Sequence, residues 1–264
     1  MGNLRNSWNV HVWQHRERTA RLIFLLYLLI YPGSIISVAF GLVPPESRWF
    51  GGVLMIFQGL SLIFWLWHAI GRASFVPNMI VLIGSFIVEY AGATTDVLFG
   101  PYDYTDVLGF RIGGVVPVVI LFAWIMATYG AWMVAAALPV HSTRLKRALM
   151  TGVVIAVFDL QIEPVAVLIH GYWVWDIAGF YYGVPLQNFF GWFAVGVLFS
   201  LLVDTPLLSA LRRGASRLPL LAFGGSCVMF LVMNAVAGHW IAASISLCTL
   251  AGLVWVWQSR QLQG

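Results

Sequence analysis

The chain has 264 residues, of which 61% are hydrophobic and only 9% charged, with 14 basic and 10 acidic side chains and a formal net charge of +4. Soluble domains carry about a quarter charged residues, so this composition excludes an ordinary soluble protein and places the chain among integral membrane proteins. The basic pI, near 9.3, is explained below by topology and not by nucleic-acid binding. Cys227 and Cys248 each fall in an apolar run and give no sign of a disulfide framework.

Residues 1–19 are polar, with Trp8 and Trp13 among His11, His15, Arg16 and Arg18, and predict an amphipathic lead-in helix at the headgroups. The first apolar run is too long, and lacks the small-residue cleavage site, to be a signal peptide. Apolar runs of about 20 residues, the length that crosses a hydrocarbon core about 30 Å thick, recur at 20–43, 51–70, 77–98, 114–138, 147–169, 186–208, 218–237 and 240–257. Pro44-Pro45, Gly71-Arg72, Gly113-Gly114, Pro139, Gly171, Gly214 and Gly238 punctuate them. The fold class is therefore an all-α integral membrane bundle with about eight transmembrane helices. Residues 20–258 form its single domain and 259–264 a tail. Because the last two runs share a very short connection at Gly238-His239, seven spans is the main alternative.

Orientation follows from Lys and Arg. With eight spans, one side receives Arg5, Arg16, Arg18, Arg21, Arg72, Arg144, Lys146, Arg147, Arg212, Arg213, Arg217 and Arg260; the other receives Arg48 and Arg111. Both termini are predicted to be cytoplasmic. The acids show the opposite bias. Glu89 lies past the middle of the outward-running third span, and Asp159 and Glu163 lie in the outer half of the outward-running fifth. Asp96 sits near the interface, and Asp204 has Arg212 and Arg213 nearby as interfacial partners.

Carboxyls at bilayer depth point to function. Asp159 and Glu163, four residues apart, project from one helix face. Two carboxyls so close in low dielectric cannot comfortably both ionise, and a carboxylic acid beside a carboxylate is what general acid–base chemistry uses. Pro164 frees the carbonyl of Leu160 and bends the helix there. Their plainer role is as polar glue between helices. Glu89 is expected to join the pair in one outer pocket.

Two outer connections, 99–113 and 170–185, are rich in aromatics. Tyr102 and Tyr104 are read on alternate sides of a short extended piece after a tight turn. Together with Trp173, Trp175, Tyr181 and Tyr182 they either roof an apolar pocket, where π faces can stabilise a cation, or form an interfacial belt. There is no GxGxxG fingerprint, P-loop or GxSxG. His11 and His15 have no third ligand, and His68, His141, His170 and His239 are scattered singly. That pattern argues against a histidine-rich di-iron site. The expected chemistry uses carboxyls, tyrosines and water, with no metal and no cofactor.

At these residues the sequence resembles the carotenoid biosynthesis membrane-protein family, which includes the carotenoid 1,2-hydratases of the bisanhydrobacterioruberin and γ-carotene type. The similarity is carried by Glu89, Phe99-Gly100, Tyr102, Tyr104-Thr105, Pro117, Trp124, Asp159, Glu163-Pro164, Gly171, Trp173, Trp175 and Tyr181 through Trp192, the stretch YYGVPLQNFFGW. Glu163 stands where the family pattern has Asp, and Thr95-Asp96 departs from its TG-type turn. The resemblance implies addition of water to the terminal C1–C2 double bond of an acyclic carotenoid ψ end, giving a tertiary 1-hydroxy group. It makes Asp159, Glu163 and Glu89 candidate catalytic residues. Tyr102, Tyr104, Trp173, Trp175, Asp176, Tyr181, Tyr182, Asn188 and Trp192 are candidate substrate-binding residues. The implied partners are a carotenoid from within the bilayer, membrane lipids and neighbouring carotenoid-pathway enzymes, and the implied location is the bacterial cytoplasmic membrane. A proton-coupled transporter and a non-catalytic carotenoid-binding protein are the rival readings.

Overall fold

The computed structural model describes residues 17–138 and 143–261. The amphipathic lead-in expected before residue 17, and the last three residues of the expected tail, lie outside the described residues. Eight helices are described: α1 (Arg18–Ala39), α2 (Phe50–Ile70), α3 (Phe75–Thr95), α4 (Val118–Ala137), α5 (Arg144–Pro164), α6 (Leu186–Arg212), α7 (Leu218–Val236) and α8 (Trp240–Gln261). A π-helical stretch, Val165–His170, continues α5. Four short strands lie in the connections: β1 (Tyr102–Tyr104), β2 (Arg111–Ile112), β3 (Val116–Pro117) and β4 (Trp173–Trp175).

Seven helical stretches are long and apolar enough to cross a membrane. One of them, Phe50–Thr95, has 46 residues. As a straight helix it would extend about 69 Å, more than twice the hydrocarbon thickness. It is instead broken by a 3₁₀ turn at Gly71–Ser74, where Gly71 takes φ 62°, a conformation that glycine alone adopts freely. The chain reverses there. Gly52 near the start of α2 lies against Val119, while Glu89 near the end of α3 bonds Trp124, so both ends of the stretch meet the first turns of α4. At the far end, Trp65 of α2 and Asn78 of α3 both reach Tyr129. Phe50–Thr95 thus makes two passes, and α7 and α8 are also separate helices. The protein is an integral membrane protein with eight long helices among the described residues.

α4 is the axis. It packs against α2, α3, α5, α6, α7 and α8, and Trp124, Tyr129 and Trp132 along it are almost wholly buried, as expected of a helix apolar on every side. α5 and α6 approach closely at Gly152 and Gly196, where a Cβ on Gly196 would stand 3.1 Å from the Gly152 Cα; small residues permit such backbone approach in membranes. α1 stands at the edge, with only Ala20, Phe24 and Tyr27 buried. Leu22, Leu29, Ile83, Phe190 and Leu247 face outward, an apolar exterior suited to acyl chains. α4 begins four residues later than the expected 114, because 111–117 forms a small β2–β3 hairpin.

Asp204 differs from expectation. It does not pair with Arg212 or Arg213 at the interface but is buried, bridged by Arg147 through Nε to Oδ1 at 2.8 Å and Nη2 to Oδ2 at 2.6 Å. Trp132 also donates to Oδ1. Helix α6 carries Asp204 inward past α5, which places the carboxylate opposite the first turn of α5 instead of the last turn of its own helix. This ion pair lies at the end of the bundle away from Glu89 and Glu163.

Candidate active site

The two aromatic-rich connections, 99–113 and 170–185, pair with each other. β1 and β4 run antiparallel with Tyr102 opposite Trp175, Asp103 opposite Val174 and Tyr104 opposite Trp173. Side chains alternate along a strand, so Tyr102, Tyr104, Trp173 and Trp175 share the face turned into the bundle, while Asp103 and Val174 face out. Tyr102 and Tyr104 therefore lie on the same side, not on alternate sides: i and i+2 of a strand share a face. The Thr105 hydroxyl donates to the Gly171 carbonyl at 2.6 Å, and backbone bonds from Thr105 to Tyr172 and from Asp176 to Pro101 extend the pairing.

This two-stranded roof aims its polar atoms at two buried carboxyl groups. Glu89 Oε2 accepts from the Tyr102 and Tyr104 hydroxyls, each at 2.7 Å, and its Oε1 accepts from Trp124 Nε1 at 2.7 Å. Glu163 Oε2 accepts from Trp173 Nε1 at 3.1 Å and Trp175 Nε1 at 3.0 Å. Burial, and after it the Glu89 carboxylate, pushes both phenols well above their ordinary range, so they remain protonated donors. The donor rings also touch one another, Tyr102 on Trp175 at 5.2 Å and Tyr104 on Trp173 at 6.0 Å.

Asn188, at the start of α6, joins the acids of α5. Its Nδ2 donates to Asp159 Oδ2 at 2.6 Å and to Glu163 Oε1 at 2.9 Å. Asp159 is fully buried, and its Oδ1 has no hydrogen-bond partner. Glu89 and Glu163 face one cavity of about 90 Å³, walled also by Trp124, Phe158, Asn188 and Trp192. Trp192 stacks on Trp124 at 4.4 Å. Asp159 stands behind Asn188 and does not line this cavity.

The family model for carotenoid biosynthesis proteins matches residues 50–253. That range spans α2 to most of α8 and contains every residue of this site. The chain belongs to the carotenoid biosynthesis protein family. It is similar to the bisanhydrobacterioruberin hydratase of Haloarcula japonica, with 27% identity over 247 residues covering 88% of this chain and 82% of that protein. No solved structure matches the chain.

In this carotenoid biosynthesis protein the structure brings together Glu89, Asp159, Glu163, Tyr102, Tyr104, Trp173, Trp175, Asn188 and Trp192. Three candidates stand elsewhere. Asp176 is exposed, and the strand pairing holds only its backbone. The Tyr181 hydroxyl donates to the Leu160 carbonyl at 2.6 Å, the acceptor that Pro164 leaves free, so it repairs the helix and does not roof the cavity. Tyr182 packs edge-on against Tyr181 and beside His239. A further residue of the site is Trp124, whose place as a Glu89 donor the residue pattern alone did not indicate. The available signal was an indole N–H at membrane depth, which needs an acceptor. Gln58 and Ser226 also line the cavity. Among the described residues, no three His, Cys, Asp or Glu side chains are grouped to hold a metal ion. Chemically, the site combines acids for proton transfer with aromatic faces around a small apolar space.

Proposed function

We propose that this protein is a carotenoid hydratase that adds water across the terminal C1–C2 double bond of an acyclic carotenoid ψ end, without a cofactor, in the bacterial cytoplasmic membrane. The observation that carries this reading is the Asp159–Asn188–Glu163 arrangement, whose Glu163 and Asn188 line an aromatic cavity that Glu89 also lines. The name of the relative from Haloarcula japonica supports it.

In the proposed reaction the Asp159/Glu163 pair holds one proton, because two carboxyls on one amide in low dielectric cannot comfortably both ionise. Glu163, the member facing the cavity, delivers that proton to C2. The C1–C2 π bond breaks, a C2–H bond forms, and a tertiary cation develops at C1. Trp124, Trp192 and the roof aromatics surround it with π faces. Water attacks C1, forming the C–O bond, and its proton returns to the emptied pair, directly or by way of Glu89. The net change is one water added, with no electrons gained or lost. A carotenoid reaches such a site from the bilayer, which accounts for acids at that depth.

The test is expression in a lycopene-producing bacterial host with the product masses read. A gain of one water per modified end is expected. Carotenoid bound to the purified protein with no hydrated product would identify a binding protein and sink the hydratase reading.

A further inference from the structure

A second cavity, of about 480 Å³, lies between α1, α2 and α7. It shares Met55, Gln58, Val165, Tyr172, Ser226 and Phe230 with the cavity at the acids, so the two adjoin along one wall. Gln58 and Ser226 mark the junction: Gln58 Nε2 donates to Ser226 Oγ at 2.9 Å and to the Ala222 carbonyl at 3.2 Å, tying α2 to α7. Pockets that hold a drug-sized ligand measure about 300–1,000 Å³. The acid chamber, at 90 Å³, is far below that range and admits only a chain end and water. The adjoining chamber falls within it.

The second chamber exists because of α1. Its inward half packs through Ala20, Phe24 and Tyr27, whereas no residue after Pro32 in the helix is buried. Proline removes one backbone hydrogen bond from a helix interior. The half beyond it touches the core only through partly buried side chains such as Ile35 and Val38 and leaves a groove walled by Ile30, Val38, Leu54 and Met229, with Ser47 and Arg48 also lining it. Since α1 is the edge helix, the groove is placed to receive a ligand laterally from the bilayer.

We propose that this groove holds the polyene stem of the carotenoid, so that one end at a time passes the Gln58–Ser226 junction to Glu163; the assignment rests on the hydratase reading above. A substrate with two ψ ends is then hydrated in two separate binding events, and the singly hydrated product appears first.

Gly33 supplies the test. It lines the groove, and a Cβ built on it meets nothing within 4 Å, so Gly33→Trp adds an indole at the groove wall without moving backbone. Gly252 on α8 is equally open but does not line the groove, making Gly252→Trp the control. Each protein is purified from the lycopene-producing host, and bound polyene absorbance and product masses are read per mole of monodisperse protein. Gly33→Trp is expected to lose both by about tenfold or more, a loss of about 1.4 kcal/mol in binding, while Gly252→Trp keeps both. Should Gly33→Trp not be recovered folded, Ser37→Leu, one turn further along the same wall, is expected to show the same loss. Wild-type levels of carotenoid and product in a folded groove variant overturn the proposal and leave the hydratase reading intact. Loss of co-purified phospholipid with carotenoid and product retained also overturns it, making the groove a lipid site. Wild-type protein that carries carotenoid but forms no hydrated product, with binding lost in Gly33→Trp, sinks the hydratase reading and leaves the groove standing.

Discussion

Asn188 donates one amide hydrogen to each of two buried carboxyls, and the behaviour of the site turns on those three side chains. Asp159→Asn and Glu163→Gln preserve shape and hydrogen-bonding capacity but remove proton transfer, a contribution of about 10²–10⁴-fold. Each is expected to lower hydrated product by that order while the protein still extracts as a monodisperse species; near-normal yield from both would return them to a role as polar glue. Glu89 is held differently, by three donors that come from two elements. Tyr102→Phe and Tyr104→Phe each remove one bond to a buried carboxylate, a change costing about 1–3 kcal/mol. A lowered thermal midpoint in detergent, larger for the double variant than for either single one, checks this.

Among the elements, the π-helical end of α5 and the β1–β4 roof divide the aromatic residues into two functions. Pro164 has no N–H to offer Leu160, and Tyr181 takes that carbonyl instead. Tyr181→Phe is expected to cost about 1–3 kcal/mol of stability with unchanged product per folded molecule. In a Pro164→Ala background, residue 164 can donate to Leu160 itself, so the same change should cost less. A double-mutant cycle measures that difference, and additive effects would show that Tyr181 and Pro164 are independent. Trp175 belongs to the other group because its indole donates to Glu163. Trp175→Leu is expected to reduce turnover per folded molecule with carotenoid still bound. Tyr182→Leu, at a ring set against Tyr181 and His239, is expected to leave turnover unchanged. Hydrated product against purified protein for the two variants separates roof from packing.

For the whole molecule, the two ends of the bundle carry different chemistry. The end away from the roof is tied by Arg147 and Asp204, both buried. Removing one partner of such a pair strands the other and costs about 3–5 kcal/mol, whereas replacing both with apolar residues of similar volume is often neutral. Asp204→Leu alone should therefore destabilise severely, and Arg147→Met with Asp204→Leu should recover most of the loss, as read by thermal unfolding in detergent. The basic residues predict that this end faces the cytoplasm. In a cysteine-free background, Ala73→Cys in the α2–α3 turn should react with an impermeant maleimide only after the membrane is opened. Asp103→Cys on the roof should react in intact cells. The reverse pattern would invert the topology.

Composition and run length determined the membrane class and about eight passes, with seven left open, and the helical period put Asp159 and Glu163 on one face. These depend on hydrophobicity over about 20 residues and on the 3.6-residue period, which require no knowledge of neighbours. Pro164 even announced the unsatisfied carbonyl of Leu160. What filled that gap, and which donors meet Glu89 and Glu163, was settled only by tertiary structure. The four roof aromatics become one surface because β1 and β4, from connections separated by two whole helices, pair in a particular register; a slip of one residue would turn the rings outward. Likewise Asp204 sits about two helical turns from two arginines in the chain and yet bonds Arg147 on another helix. In low dielectric a buried polar group takes whichever partner the packing brings within about 3 Å, and that choice is made between elements, not along the chain.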